Sequence, residues 1–227
     1  MAKNALIVGA GSGLSASVAR AMSADGYQVV LAARNPDKLE SLCSETGARA
    51  IRCDATSADS VRELFAQMQS DVGIANAVLY NASAYTAGAI DELDPDAVQA
   101  SLQQTVFGAF LVSQQAVIGM KQIGGGALFF TGATASVKGF PNFSSFAMGK
   151  FALRGLAQSL AREVGPQGIH VAHFIIDGGI ASDRHPQTAE HAMLEPDAIA
   201  QTYMDVLKQH RSAWTQEVDL RPWIENF

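Results

Sequence analysis

ALFFTGATASVKGFPNFSSFAMGKFALRGLA, residues 127–157, is the stretch whose reading decides the fold. Ala127 to Thr131 is a short apolar run of the kind that suits a strand buried on both faces. A loop rich in Gly, Ser, Thr and Pro follows, and a helical pattern begins between Asn142 and Ser145. Phe146 and Lys150 lie four residues apart, so they share a helix face, one turn from each other. Strand, small-residue loop and helix in succession read as one step of a layered α/β protein.

The same step opens the chain. Asn4 to Val8 is an apolar strand, Gly9-Ala10-Gly11-Ser12-Gly13 is a glycine-rich turn, and Leu14 to Ala24 has a helical pattern. In that context the glycines let backbone N–H groups approach a pyrophosphate, and the helix N-terminus adds the positive end of its dipole. Gly9, Gly11, Ser12, Gly13 and Leu14 are therefore candidate cofactor-binding residues, the alternative being a plain strand-to-helix turn. Ser15 either crowds the ligand or donates a hydrogen bond to it.

Alternation continues to the end. Tyr27 to Ala33 is a strand running into Arg34-Asn35-Pro36, Pro36 to Thr46 a surface helix, and Arg49 to Cys53 a strand ended by Asp54-Ala55. Ser57 to Gln69 is a helix, with Asp54 as its cap or as an Asx turn before it. Ile74 to Leu79 is the fourth strand, followed by Tyr80-Asn81-Ala82-Ser83 and then Tyr85. Asp94 as N-cap and Pro95 at the first helical position open a helix predicted to reach about Gly119, and Gly124 to Gly126 turn into the fifth strand. The helix Phe146 to Val164 stops at Gly165-Pro166. Ile169 to Ile176 is a near-unbroken apolar run, as a central parallel strand shows, and it ends in Asp177-Gly178-Gly179-Ile180-Ala181-Ser182. A polar stretch over about 183–195 precedes a helix from Glu195-Pro196-Asp197 to about Gln209 and a final strand, Trp214 to Leu220. The pattern predicts an α/β, doubly wound parallel sheet between two helix layers, one domain spanning residues 1–227.

Composition narrows the function. A chain of 227 residues, 48% hydrophobic and 17% charged, is globular. The net charge of −6 disfavours a nucleic-acid partner, whose phosphates need a basic face. No apolar run approaches the ~20 residues of a membrane helix. The N-terminal residues enter a strand at once, which predicts a cytoplasmic protein. Cys43 and Cys53 are too few for a disulfide framework. Asp183, His185 and His191 lack a fixed ligand spacing, so no metal site is predicted.

Taken together, the segments from Gly9 to Ser182 resemble the short-chain dehydrogenase/reductase family over nearly the whole chain, and narrowly a divergent subgroup with Phe in place of the catalytic Tyr. The resemblance implies a Rossmann-like fold. It aligns Gly9 and Gly13 with the family's glycine motif, Ser15 replacing the last glycine. It makes Asp54 the partner of the adenine amino group and Asn81-Ala82 part of the Asn-Asn-Ala-Gly segment. It brings Gly178, Ile180 and Ser182 to the nicotinamide amide, with Asp177 in place of Pro. It puts Phe146 at the Tyr position, Lys150 at the Lys, Ala133 at the Ser with Thr134 beside it, and Thr105 at the Asn. The family's substrate loop falls at about 183–195, and its members commonly pair the two long helices into dimers or tetramers, so a homo-oligomer is expected.

These residues imply an NAD(P)-dependent oxidoreductase moving hydride between the cofactor and a small carbonyl, alcohol or imine substrate, with an atypical site. At the second strand end, Ala33 replaces the acidic residue that would bind a ribose 2′-hydroxyl, and Arg34 offers a 2′-phosphate a partner; NADP is expected over NAD. Phe146 passes no proton. Loss of a general acid costs about 10²–10⁴ in rate and loss of an oxyanion donor about 10²–10³. Three readings follow: an oxidoreductase whose donor is displaced (Thr134, Tyr85, Asp177 or Ser182) or whose substrate is less demanding, an inactive NADP(H)-binding regulator or sensor, and non-redox chemistry on the same fold.

Overall fold

The computed structural model describes residues 3–182, 185–187, 189 and 191–224. Among them, seven strands form one parallel sheet: β1 (Lys3–Val8), β2 (Tyr27–Ala33), β3 (Arg49–Arg52), β4 (Ala77–Tyr80), β5 (Gly126–Thr131), β6 (Ile169–Ile176) and β7 (Glu217–Leu220). Their order is β3-β2-β1-β4-β5-β6-β7. The chain thus winds outward from β1 in one direction, then returns to β4 and winds the other way. This is the doubly wound, Rossmann-like architecture expected from the alternation of patterns.

The helices are α1 (Leu14–Ala24), α2 (Glu40–Thr46), α3 (Ala58–Asp71), α4 (Pro95–Leu102), α5 (Gly108–Gln122), α6 (Ser144–Val164) and α7 (Pro196–Leu207). One core layer joins the sheet to α3, α5 and α6 through Leu64, Val112 and Leu153; the other joins it to α1, α2 and α7 through Val18, Leu42 and Tyr203. All eight residues of β6 are buried because the sheet is covered on both faces, which is why its sequence is apolar without alternation.

Several boundaries differ from the sequence reading. Pro36–Leu39 forms a 3₁₀ turn before α2, capped by the Asn35 side chain. β3 stops at Arg52, and Ser57, not Asp54, caps α3; the Asp54 carboxylate makes an Asx turn with the Thr56 N–H at 3.0 Å. β4 begins at Ala77 rather than Ile74, since the Asn4 side chain donates to the carbonyls of Val72 and Ile74 and holds that segment as a loop. β7 begins at Glu217, because Trp214 stacks on the His170 ring at 4.7 Å instead of joining the sheet.

The expected helix from Asp94 to Gly119 is not uniform. Asp94 caps it and Pro95 opens it, but Gln103–Phe107 forms a π-helical turn between α4 and α5, and the rod runs on to Gln122. The Tyr80 hydroxyl donates to the Gln104 carbonyl within that turn. Gly108 makes room for it, since a Cβ there would lie 2.5 Å from the Tyr80 oxygen.

Candidate functional site

The reversal between β1 and β4 opens a crevice at the carboxyl ends of the strands, where ligands of open α/β sheets bind. Gly9 closes the tip of β1 with φ +83°, and a Cβ on it would fall 2.4 Å from the Ala82 nitrogen. Only glycine holds that conformation against the β4 loop. The turn is braced from beneath by Ser15. Its buried hydroxyl donates to the Gly9 carbonyl at 3.1 Å and accepts from Asn81 Nδ2 at 2.7 Å. Ser15 therefore supports the loop from inside the core, and Asn81 has the bracing role. A Cβ at Gly11 or Gly13 would meet nothing within 4 Å, so these residues leave the space above the α1 N-terminus clear.

From this turn a cleft of about 440 Å³ runs along the sheet edge, lined by Gly9, Gly11 and Ser12, by Arg34, by Asp54-Ala55 and by Asn81-Ala82. Thr56 donates to the Asp54 carboxyl through its N–H and its hydroxyl, which holds that pKa below the usual carboxylate range. A smaller cleft of about 280 Å³ continues on the other side of the glycine turn, lined by Leu14, Ser15, Asn81 and the segment Ile180–Ser182. Gly178 has φ +146°, and Ile180 bridges to Leu194. The Ser182 hydroxyl accepts the His185 N–H at 3.2 Å. Within the expected substrate loop, Asp183 lies outside the described residues.

Next to the crevice stands the Phe146 and Lys150 pair. Lys150 is buried, 4% exposed, and its Nζ donates to the Thr131 carbonyl at the end of β5, 2.8 Å away. Burial pulls its pKa down to about 8. The ammonium lies 5.7 Å from the centroid of the Phe146 ring. Tyr85, in the loop after β4, packs edge-on against Phe146 with centroids 5.3 Å apart and against Phe143 at 5.8 Å. That loop is tied down where the Gly88 N–H donates to the carbonyl of Asn142, a residue with φ +67°.

Of the candidate replacement donors, Thr134 is committed. Its hydroxyl donates to Asp177 Oδ1 at 2.5 Å, and Asp177 Oδ2 lies 3.5 Å from Arg221. Thr105 is buried, 1% exposed, and its Oγ1 accepts the Ala84 N–H at 3.3 Å. The Thr105 oxygen thus accepts from the backbone of the Tyr85 loop. Ala133 contributes only a methyl group.

Beneath Ala133 lies a network the sequence reading missed. The Ser136 hydroxyl accepts the Ala133 N–H at 3.1 Å and stands 3.3 Å from His173 Nε2. His173 Nδ1 is 3.6 Å from Glu217, which Arg154 grips with two bonds of 2.7 and 2.8 Å. Desolvation drives the His173 pKa down to about 4, despite Glu217 beside it. Arg154, first of all, holds the Glu217 carboxyl below its ordinary value. Gly132 lets the strand end lie on the imidazole, since a Cβ there would sit 2.4 Å from the ring. A polar residue inside the apolar β6 run was the available signal; its partners lie 37 and more residues away in sequence.

Residues 3–192 match the short chain dehydrogenase family. An uncharacterized oxidoreductase of Staphylococcus aureus (strain USA300) is 26% identical over 229 residues, covering 97% of each protein. A short-chain dehydrogenase structure from Rhodopseudomonas palustris is 31% identical with a TM-score of 0.83, covering 97% of this chain and 99% of that one. An alcohol dehydrogenase from the archaeon Thermococcus sibiricus, complexed with 5-hydroxy-NADP, is 25% identical with a TM-score of 0.85, covering 99% and 98%. By that match over residues 3–192, on a sheet of the same doubly wound kind, the chain belongs to the short chain dehydrogenase family, an oxidoreductase family that works with NAD(P).

Proposed function

We propose that the protein uses NADP(H) in preference to NAD(H) and moves hydride to or from a small carbonyl, alcohol or imine substrate through a site without the usual Tyr and Ser. The observation that carries this reading is Lys150, buried at the end of β5 next to β4, together with a crevice at the ends of β1 and β4 that holds Arg34 and no acidic group at position 33. The residues fit the cofactor. The glycine turn leaves open the space that a pyrophosphate needs, Arg34 suits a 2′-phosphate, and Lys150 suits ribose hydroxyls. The nicotinamide supplies the hydride when bound; the chain's own residues orient it.

Titration with both cofactors tests the reading. NADPH is expected to bind with one-to-one stoichiometry and more tightly than NADH. Arg34→Ala is expected to lose about 1–3 kcal/mol for NADPH, the worth of charge-assisted hydrogen bonds, and little for NADH. Equal affinity of the wild-type protein for both would contradict the preference. NADPH consumption over a panel of carbonyl and imine compounds then separates an enzyme from a second reading, an inactive NADP(H)-binding regulator or sensor. One observation favours that second reading: Phe146 and Ala133 offer no proton, and Thr134 gives its own to Asp177.

The reading extends to assembly and location. Phe107 and Phe110 stack on the outer side of the α4–α5 rod, and Ile118, Met148 and Phe151 are exposed on α5 and α6. These side chains are the apolar surface that a second copy would cover, and we expect a homodimer or homotetramer in the cytoplasm. Light scattering at micromolar concentration is expected to show at least a dimer; a monomer would contradict it. Among the described residues, no helix is long and apolar enough to cross a membrane.

A further inference from the structure

We propose that the site selects cationic C=N substrates, iminium ions, over neutral ketones. The proposal rests on the NADP(H) reading above and names the substrate class of that same site.

Three features point the same way. The two groups that would hydrogen-bond a carbonyl oxygen are replaced by a methyl, at Ala133, and an aromatic face, at Phe146. Phe146 is part of a continuous aromatic wall: Tyr85 packs on Phe146 and Phe143, and Phe143 packs on Phe140 at 6.5 Å. Cations of the chain already settle on this wall, Lys150 Nζ 5.7 Å from the Phe146 centroid and Lys138 Nζ 5.1 Å from that of Phe140. Aromatic faces attract cations through their quadrupole. Tyr85, 64% exposed, leaves much of its ring open to a ligand.

The third feature is an added carboxylate. Asp177 ends β6 beside the loop of Ala133 and Thr134, held by the Thr134 hydroxyl at 2.5 Å. Arg221, 3.5 Å from it, also pairs with Asp219, so among the described residues these two carboxylates share that guanidinium. Lys150 and Lys138 are the opposing cations on the wall, and the Lys150 ammonium is anchored on the Thr131 carbonyl.

The chemistry balances without a proton donor. A reduced nicotinamide dinucleotide gives hydride, both electrons included, to the iminium carbon. The C=N π pair becomes the nitrogen lone pair, the product is a neutral amine, and the nicotinamide is left oxidised. A ketone taken through the same step leaves an alkoxide, which would need the hydroxyls that Phe146 and Ala133 do not supply.

The probes are N-methyl dihydroisoquinolinium and tetralone, a cation and a neutral ketone of the same ring size. Calorimetric binding is measured with and without NADP⁺, and NADPH oxidation is measured above the protein-free rate. The cation is expected to bind at least tenfold more tightly and to be reduced at least tenfold faster. Asp177→Asn keeps an acceptor for Thr134 but removes the charge. Phe146→Leu keeps the bulk but removes the ring. Each is expected to weaken cation binding about three- to tenfold. Adding back the donors, in Phe146→Tyr with Ala133→Ser, is expected to speed ketone reduction at least tenfold and narrow the preference.

Equal binding of the two probes, or no loss in either single variant, would overturn the proposal. No gain in the folded, NADPH-binding double variant would overturn the claim that the missing donors set the preference. NADPH binding without cation preference refutes this inference and keeps the cofactor reading. Cation preference without NADPH binding refutes the cofactor reading and keeps the recognition.

Discussion

Lys150→Met is expected to make the cofactor-free protein more stable and to cost it NADPH affinity. Burial draws the lysine from 10.5 to about 8, a difference worth ~3 kcal/mol. The sign follows from proton counts. The folded pKa is the lower one, so between about pH 8 and 10.5 the unfolded chain holds more protons and stability rises with pH. Below about pH 8 the penalty is present in full. Methionine keeps the length of the side chain and removes the charge, but it gives up the bond to the Thr131 carbonyl, about 1.5–3 kcal/mol for a charged donor. The net gain expected at pH 7 is about 1 kcal/mol. Urea unfolding of the wild-type protein should show stability climbing from pH 8 to 10, with no such climb in the variant. NADPH affinity should fall at least tenfold, since Lys150 is the group proposed to hold the ribose. A less stable variant, or one that binds NADPH as before, would refute the assignment. A residue kept at a cost to the folded state marks a site maintained for ligand.

Gly9→Ala carries the largest expected loss. The φ of +83° alone costs a residue with a Cβ roughly 1–2 kcal/mol. That Cβ would also fall 2.4 and 2.5 Å from the Ala82 backbone, and overpacking of this kind costs about 1–3 kcal/mol. A destabilisation of about 2–5 kcal/mol is expected, a large share of the roughly 5–15 kcal/mol that holds a domain together. Gly11→Ala and Gly13→Ala serve as the contrast. Their added methyls meet no protein atom, so stability should move by no more than about 1 kcal/mol while cofactor affinity drops. The measurement is denaturant unfolding of all three variants with NADPH titration alongside. A Gly9→Ala protein within about 1 kcal/mol of wild type would show that β1 and the β4 loop separate more easily than their contact implies.

What was legible in the sequence was whatever repeats locally. β2, β6 and α1 were placed to the residue, because their apolar patterns are unbroken and Gly9, Gly26, Asp177 or Gly178 punctuates them. The glycine turn, Arg34 and Lys150 were singled out by type and spacing alone; the structure sets the turn and Arg34 on one cleft and Lys150 at the end of β5. The brace of Ser15 and Asn81, the bond from Thr134 to Asp177, and the cluster of His173, Ser136, Glu217 and Arg154 were not legible. Each joins side chains 37 to 66 residues apart, and pairing at that range is decided by the sheet order. Trp214 misled because an aromatic residue before a β-like run reads as strand, whereas the ring packs flat on His170. The partner of Thr134, Asp177, was not legible either, because it lies at the end of another strand.

The π-helical turn at Gln103–Phe107 has a consequence of phase. One such turn is equivalent to a single residue inserted into an α-helix, so every side chain beyond it is rotated by about 100° against the count that precedes it. α4 and α5 therefore behave as two gears on one shaft. Before the insertion the rod is in step with the loop of Ala84, which Ser101 binds at 3.1 Å; after it, Ala109, Val112 and Ala116 are in step with the sheet. Phe107 and Phe110 come round together to the outside. The same residues wound as an unbroken α-helix would turn the aromatic pair away from solvent and the alanines away from the core, whereas deleting one residue within the turn is expected to leave both faces in step.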